Sequence, residues 1–450
     1  MLSAFLSAFR TPDLRKKLLF TVFIIAIYRL GATVPSPGVS SVNVQQCIKV
    51  LSQSDTSNGV FTLLNLFSGG ALLQLSVFAL GIMPYITASI ILQLLTVVIP
   101  RLEQLRKEGQ AGQAKITQYT RYLTLGLAIL QASAFVALAR TGQLFGNANC
   151  PDVIPKGGPD GTGIPDWLTV TMLVMTMTAG TGVIMWLGEL ITDRGVGNGM
   201  SVLIFTSIAA RLPAEGGRVF QQSKWQFVAI LGFAVLVIAA VVFMEQAQRR
   251  VPVQYAKRMV GRRMYGGTST YIPLKVNQAG VIPVIFGSSL LYLPQLALQF
   301  FAPDPGAIPS KTYTWINDHV VDQTDPIYIA LYFLMIIFFT YFYVSITFNP
   351  TEVADNMKKY GGFVPGIRPG KPTAEYLDFI LSRITLPGAL YLGIISILPN
   401  LLVGLTGGQN PLQNFPLGGT AVLIMVGVGL ETVKQIESQL MQRNYEGFLR

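Results

Sequence analysis

Apolar residues dominate this chain in runs of about twenty, and short stretches between the runs concentrate the charged and turn-forming residues. A run of that length crosses the hydrocarbon core of a bilayer when it folds as an α-helix. The pattern therefore predicts an all-α polytopic membrane protein with about ten transmembrane helices. The predicted spans are 18–34, 72–99, 119–139, 167–187, 199–212, 225–244, 276–298, 327–348, 379–399 and 418–436.

The stretch 59–100 departs from the pattern of one simple span. A short apolar piece, Phe61–Phe67, precedes Gly69 and Gly70, and a longer apolar run follows that Gly81–Pro84 interrupts. Adjacent glycines disfavour helix and provide a flexible joint. Irregular backbone at membrane depth is tolerated only where protein or a water-filled cavity satisfies it. We therefore expect a re-entrant segment beside a bent helix, with both lining a passage.

A second interruption of this kind lies in span seven. Gly280-Val-Ile-Pro283 there matches Gly81-Ile-Met-Pro84 in span two, and each is second in its group of five spans. Because five is odd, equivalent halves 1–212 and 213–450 must insert with opposite orientation, which is the inverted-repeat plan of many transporters. Gly-x-x-Pro is also common in membrane helices, so coincidence stays open as the alternative.

Composition narrows the function. Hydrophobic residues make up 51% of the chain and charged residues 12%, about half the charge of a soluble domain. The sequence contains no Gly-x4-Gly-Lys-Ser/Thr phosphate loop, no metal-ligand spacing and no nucleophile elbow. We expect no enzymatic activity, no metal and no cofactor, so that a partner must supply any energy for transport. Cys47 and Cys150 fall in predicted outer loops and leave open either two separate thiols or one disulfide.

Basic residues set the predicted orientation. Most of the 33 Lys and Arg lie near the N-terminus, in loops 101–121, 245–275 and 349–383, or in the C-terminal tail. Cytoplasmic loops carry such an excess, so both termini are predicted to be cytoplasmic. Loops 245–275 and 349–383 are also much longer than ordinary bundle connections. Either they set topology and touch anionic lipid, or they dock phosphate-rich RNA or an acidic protein surface.

Ionisable residues are scarce within the predicted spans. Arg29 is expected to extend outward to the lipid headgroups. Gln93, Asn277 and Gln278 are polar exceptions near spans two and seven. They either line a passage or form hydrogen bonds that stabilise the bundle.

Five stretches form distinctive motifs. The longest are ALGIMPYITASIILQLL at Ala79–Leu95 and WLGELITDRGVGNGMS at Trp186–Ser201. Shorter ones are Asn65–Ala71, Pro273–Pro283 and Phe363–Gly370. Together they resemble the SecY family, the central subunit of bacterial protein-translocation channels. The resemblance covers nearly the whole chain. It implies a passive, gated channel of the bacterial plasma (inner) membrane that conducts unfolded secretory chains and releases apolar segments sideways into lipid.

The resemblance also implies residue roles around a central hourglass pore between the two halves. A lateral gate opens between spans two and three and spans seven and eight, with Gln93 and Asn277 as its polar residues. The implied waist is an apolar ring of Ile82, Ile86, Ile204, Ile285 and Ile424. The implied plug is the segment 61–72, to which with its hinge we assign Phe61, Leu64, Asn65, Leu66, Phe67, Gly69 and Gly70.

The implied cytoplasmic contacts are with the ribosome or the SecA motor ATPase. Arg368 at the Gly-Ile-Arg-Pro-Gly tip matches the family's docking arginine, and in loop 245–275 we assign Arg249, Arg250, Lys257 and Arg258. Other implied partners are SecE- and SecG-type small membrane subunits, signal peptides, unfolded secretory chains and anionic lipids.

Two other functional classes compete with this interpretation. A secondary transporter for a small solute needs intramembrane carboxylates, and no Asp or Glu lies clearly inside a predicted span. A non-transporting scaffold or insertase does not need a plug or broken helices. Saturable, gradient-driven uptake by the chain alone favours the first, and electrical silence after deletion of 61–70 favours the second.

Overall fold

Helices build most of the computed structural model, which describes residues 11–53, 68–140, 153–154, 165–222, 224–255, 258–260, 263–265, 269–300, 311–321, 325–405 and 419–448. A π-helical turn, Asn317–Val321, follows the eleventh α-helix directly. In chain order the α-helices are α1 Pro12–Thr33, α2 Ser41–Gln53, α3 Met83–Val98, α4 Pro100–Lys107, α5 Gln110–Arg140, α6 Asp166–Arg194, α7 Gly199–Ala209, α8 Leu212–Gln222, α9 Lys224–Gln246, α10 Ile282–Phe300, α11 Lys311–Ile316, α12 Pro326–Thr347, α13 Pro350–Lys359, α14 Lys371–Leu405 and α15 Gly419–Phe448.

Each predicted span overlaps one of these helices, which confirms the helical, multi-span architecture. Within the described residues, five helices are individually long and apolar enough to cross a membrane. They are α5 Gln110–Arg140, α6 Asp166–Arg194, the part Phe227–Gln246 of α9, the segment Pro326–Lys359 that comprises α12 and α13, and the part Lys371–Leu398 of α14. The pair α3 and α4, bent by 100°, makes a sixth, and Gly199–Ala209 and Ile282–Leu291 are shorter apolar helices. The total of ten spans stays a prediction.

The first part of predicted span two is not helical. Residues 68–82 form successive turns, and only from Met83 does the helix begin. Leu72 and Leu75 are 1% and 0% exposed in this segment, and Ser76 forms a β-bridge with Pro35. The segment is apolar because protein surrounds it. Hydropathy alone does not separate such buried turns from a span.

The long loop after α9 contains β-structure that the apolar pattern of the chain does not predict. Strand β1, Gln248–Tyr255, pairs antiparallel with β4, Ser269–Lys275, along its whole length and with the short β5, Gly362–Phe363, at its far end. Strands β2, Arg258–Val260, and β3, Arg263–Tyr265, form a second antiparallel pair beyond them. The loops 245–275 and 349–383 are thereby joined in one sheet.

Three large apolar clusters organise the core. One draws only on residues between Val39 and Met177, and a second only on residues between Val237 and Leu423. The third draws on α1, α3, α6 and α7 before residue 212 and on α10, α12 and α15 after it. Each proposed half thus has its own core, and a shared cluster joins them.

Candidate functional site

The two Gly-x-x-Pro motifs adopt the same local structure. Gly81 and Gly280 have φ angles of 58° and 61°, a left-handed conformation that glycine adopts without steric cost. Helices α3 and α10 each begin one residue before the proline of their motif. Proline is favoured there because the first turn needs no intrahelical N–H donor. The expectation that the motifs interrupt a helix is therefore wrong, since both motifs start one.

The predicted isoleucine ring comes together in the shared cluster. Ile82, Ile204, Ile285 and Ile424 are 1%, 5%, 6% and 1% exposed and belong to this single cluster. Ile86, one turn into α3, is partly buried and packs against it. The ring residues come from α3, α7, α10 and α15 and their caps, so both halves contribute. Branched side chains with few rotamers would suit a stiff, apolar constriction, and the ring itself stays a prediction.

Gly69, the first residue of the double glycine, is held against α1 and α7. Gly69 and Gly70 have φ angles of 66° and 93°. A Cβ on Gly69 would lie 3.3 Å from the Cα of Ser207, so the backbone passes close to α7. Arg29 donates from Nη1 to the carbonyl oxygen of Gly69 at 3.3 Å. Ser207 in turn shares a 2.7 Å hydrogen bond with the hydroxyl of Tyr28.

Arg29 has a protein partner that the sequence did not predict. Its guanidinium contacts the hinge of the proposed plug, and its expected reach to the lipid headgroups stays a prediction. The signal in the sequence was the charge itself, because a cation inside a span usually has a protein partner. The plug residues Phe61, Leu64, Asn65, Leu66 and Phe67 lie outside the described residues, so their role stays a prediction.

The two polar residues assigned to the lateral gate have different surroundings. Asn277 is 4% exposed, and its Nδ2 donates to Glu245 Oε1 and to the carbonyl oxygen of Gly280 at 3.2 Å. Glu245 lies in the last turn of α9, which extends further than the predicted span. Gln93 is exposed on α3. Asn277 therefore fixes the start of α10 to α9, which agrees with the bundle-stabilising alternative for this residue.

The four helices of the proposed gate lie side by side. Helix α3 packs on α5, and α10 packs on α12. Helix α10 also contacts both α3 and α5, so the first and second halves meet at a seam between these helices.

The sheet of β1, β4 and β5 carries two of the predicted docking arginines, Arg249 and Arg250. On β1, Val251 and Val253 point into a cluster with residues of β4, α13 and α14. Arg249 and Arg250 are exposed. The Arg250 guanidinium lies 4.7 Å from the ring centroid of Tyr271 on β4, a cation–π distance. Lys257 lies outside the described residues, and Arg258 is placed only as the first residue of β2.

The tip that carries Arg368 is a fixed turn. Gly366 and Gly370 have φ angles of 84° and 105°, and Ile367 packs against the sheet cluster. The hydroxyl of Thr373 donates to the Arg368 carbonyl oxygen at 2.8 Å, while the Arg368 side chain is exposed. Because β5 pairs with β1, the Arg368 tip and Arg250 belong to one structural unit.

Within the described part of the chain, no group of three or more His, Cys, Asp or Glu could hold a metal ion. Cys47 is buried, and Cys150 lies outside the described residues, so the alternatives for the cysteines stay open.

Comparison with known proteins decides the family. The SecY family model matches residues 76–433. The chain belongs to the SecY family. It is 60% identical over 452 residues to the protein translocase subunit SecY of Mycobacterium tuberculosis, covering 100% of both chains. It is 61% identical over 457 residues to that of Streptomyces coelicolor, again covering 100% of both.

Solved structures share the SecY fold. One described as a protein conducting channel has a TM-score of 0.62 at 18% identity, covering 94% of this chain and 91% of its own. Sec61 in a canine ribosome–channel complex has a TM-score of 0.59 at 18% identity, with the same coverage. At this identity the likeness supports the fold alone.

Proposed function

We propose that this chain is the channel-forming subunit of a protein translocase in the bacterial plasma membrane. It conducts unfolded secretory polypeptides and releases apolar segments laterally into lipid, and it catalyses no reaction. The observation that carries the proposal is the apolar cluster to which both halves contribute isoleucines. Family membership supplies the wider context.

An apolar collar suits a conduit for diverse chains. The collar of Ile82, Ile86, Ile204, Ile285 and Ile424 excludes water because hydrating apolar surface in a narrow constriction is unfavourable. A chain in transit displaces the side chains without breaking any specific bond. Passage through the collar therefore depends on the width and hydrophobicity of a segment and does not depend on its exact sequence.

The proposed plug is the segment 61–72, which pivots at Gly69 and Gly70. The left-handed backbone of both glycines and the hydrogen bond from Arg29 to Gly69 support a hinge at this point. A plug is a feature of one solved channel of this fold, whose plug domain is described as maintaining a membrane seal.

The proposed energy source docks on the cytoplasmic sheet. Arg249, Arg250, Lys257, Arg258 and Arg368 are its proposed contacts with the ribosome or the SecA motor ATPase. Exposed guanidinium groups favour phosphate-rich RNA and acidic protein surfaces. Both termini are proposed to be cytoplasmic on the same side as this sheet.

Small membrane subunits of the SecE and SecG type are proposed to cover part of the outer apolar surface. Trp225 and Phe243 on α9 are 82% and 75% exposed, which suits contact with a partner helix or lipid. Anionic lipids are proposed to contact the basic loops near the membrane.

Reconstitution tests the proposal. Proteoliposomes that contain the chain with its small subunits should protect an unfolded secretory precursor from added protease when the motor ATPase and ATP are present. Precursor that stays fully digested contradicts the proposal. Deletion of 61–70 should raise ion conductance, whereas a scaffold stays silent. Saturable, gradient-driven solute uptake by the chain alone would indicate a secondary transporter.

A further inference from the structure

Helix α4 reaches from the first half toward the second. It begins at Pro100, directly after α3, and is bent by 100° from it. It packs against α3 and α5, the two gate helices of the first half. Its direction is thus fixed relative to that half.

Helix α12 ends with a backbone carbonyl that its own helix cannot satisfy in the usual way. In a continuing helix, the carbonyl of Ile346 would accept from the N–H of residue 350. Residue 350 is proline, which has no N–H. The last turn of α12 also contains no basic residue, although cations are favourable at the negative end of a helix dipole.

Arg106 of α4 supplies both missing elements. Its Nη2 donates to the carbonyl oxygen of Ile346 at 3.1 Å. The neighbouring Lys107 forms a 2.7 Å ion pair with Glu103 within α4 instead. The bond from Arg106 joins residues 240 positions apart and connects the two halves beside the seam where α10 meets α3 and α5.

We propose that Arg106 is a positioning residue for lateral release, holding the end of α12 against α4 and so keeping the seam closed until a sufficiently apolar segment separates it. The inference rests on the proposed function, because it assigns a residue to the gate. Loss of the guanidinium should lower the apolarity that a segment needs to leave sideways.

The test measures sorting in a reconstituted complex. A translocating precursor carries a segment with a graded number of leucines in an alanine background, and the readout is the ratio of membrane-inserted to fully translocated product. Arg106→Ala should raise this ratio by about two- to fivefold at intermediate leucine content, as the worth of a charge at a helix end implies. Arg106→Lys should stay close to wild type, because an ammonium keeps both a donor and the charge.

Controls distinguish loss of the Arg106–Ile346 contact, which we call the latch, from general destabilisation of the protein and from failure of the channel proposal. Lys107→Ala, on the next residue of the same helix, should sort like wild type. Equal ratios for wild type and Arg106→Ala, with wild type sorting the series, overturn the latch and leave the channel intact. The latch is also overturned if Lys107→Ala or Arg106→Lys raises the ratio as much as Arg106→Ala does. Wild type that translocates without sorting refutes lateral release itself.

Discussion

Replacement of Ile82 by alanine tests the collar most directly. Ile82 is 1% exposed in the cluster shared by both halves. The substitution removes three apolar carbons, each worth about 0.8 kcal/mol when kept from water, or about 2.4 kcal/mol in all. If the cluster is the barrier to water, the free-energy cost of hydrating the constriction falls by up to that amount. The hydrated population then rises by at most about sixtyfold.

The assay is single-channel and macroscopic conductance of the reconstituted complex in planar bilayers, without precursor or motor. Wild type should be nearly silent, and Ile82→Ala should show frequent openings. The matched control is Ile184→Ala. Ile184 is 0% exposed on α6 in the same cluster but is not a predicted ring residue. Both substitutions should lower the free energy of unfolding by similar amounts, about 2–5 kcal/mol for a buried isoleucine.

The comparison discriminates between a collar and an ordinary core. Leak confined to Ile82→Ala supports a water barrier at the ring. Equal leak in both variants means that conductance follows loss of stability, and the ring then has no special role. Unchanged conductance in Ile82→Ala and in a double variant with Ile424→Ala refutes the reasoning.

Three other predictions address the rest of the chain. Arg368→Glu should reduce motor-driven export at least tenfold while thermal stability stays near wild type; normal export in a translocation assay contradicts the docking role. Gly81→Ala and Gly280→Ala should each lower the unfolding free energy by about 1–2 kcal/mol, because alanine is strained at positive φ. An unchanged melting temperature would argue against the left-handed conformation of these glycines before α3 and α10. Two hydrogen bonds hold the pKa of Asp325 below its ordinary value: the larger effect comes from the His319 ring and the smaller from the backbone N–H of Ile327 at the start of α12. Its stabilisation is therefore complete above the ordinary Asp pKa and lost as pH falls through the lowered value; Asp325→Asn should flatten this acid dependence of the melting temperature.

The helices and the central residues were the predictable part of this chain. Each long apolar run overlaps a helix of the structure, because a helix that crosses lipid must be apolar over most of its length. The isoleucines were assigned by resemblance, and the structure brings Ile82, Ile204, Ile285 and Ile424 together although they are far apart in the sequence.

Other features failed for identifiable physical reasons. The segment 68–82 was apolar enough to pass as a span because other parts of the protein bury it. Strand β1 carries a period-two signal, the alternating buried Val251 and Val253, but Pro252 between them and the basic residues around them are equally typical of a loop. The bonds from Arg29 to Gly69 and from Arg106 to Ile346 join distant residues, and no local pattern encodes them.

The pairing of β1 with both β4 and β5 has a mechanical consequence. Strand β1 follows α9 almost directly, and the tip after β5 leads into α14, so the sheet is continuous with two helices of the second half. A partner bound to the sheet is therefore connected directly to the second half. Along the chain, a force on the sheet reaches α9 and α14 before it reaches any helix of the first half.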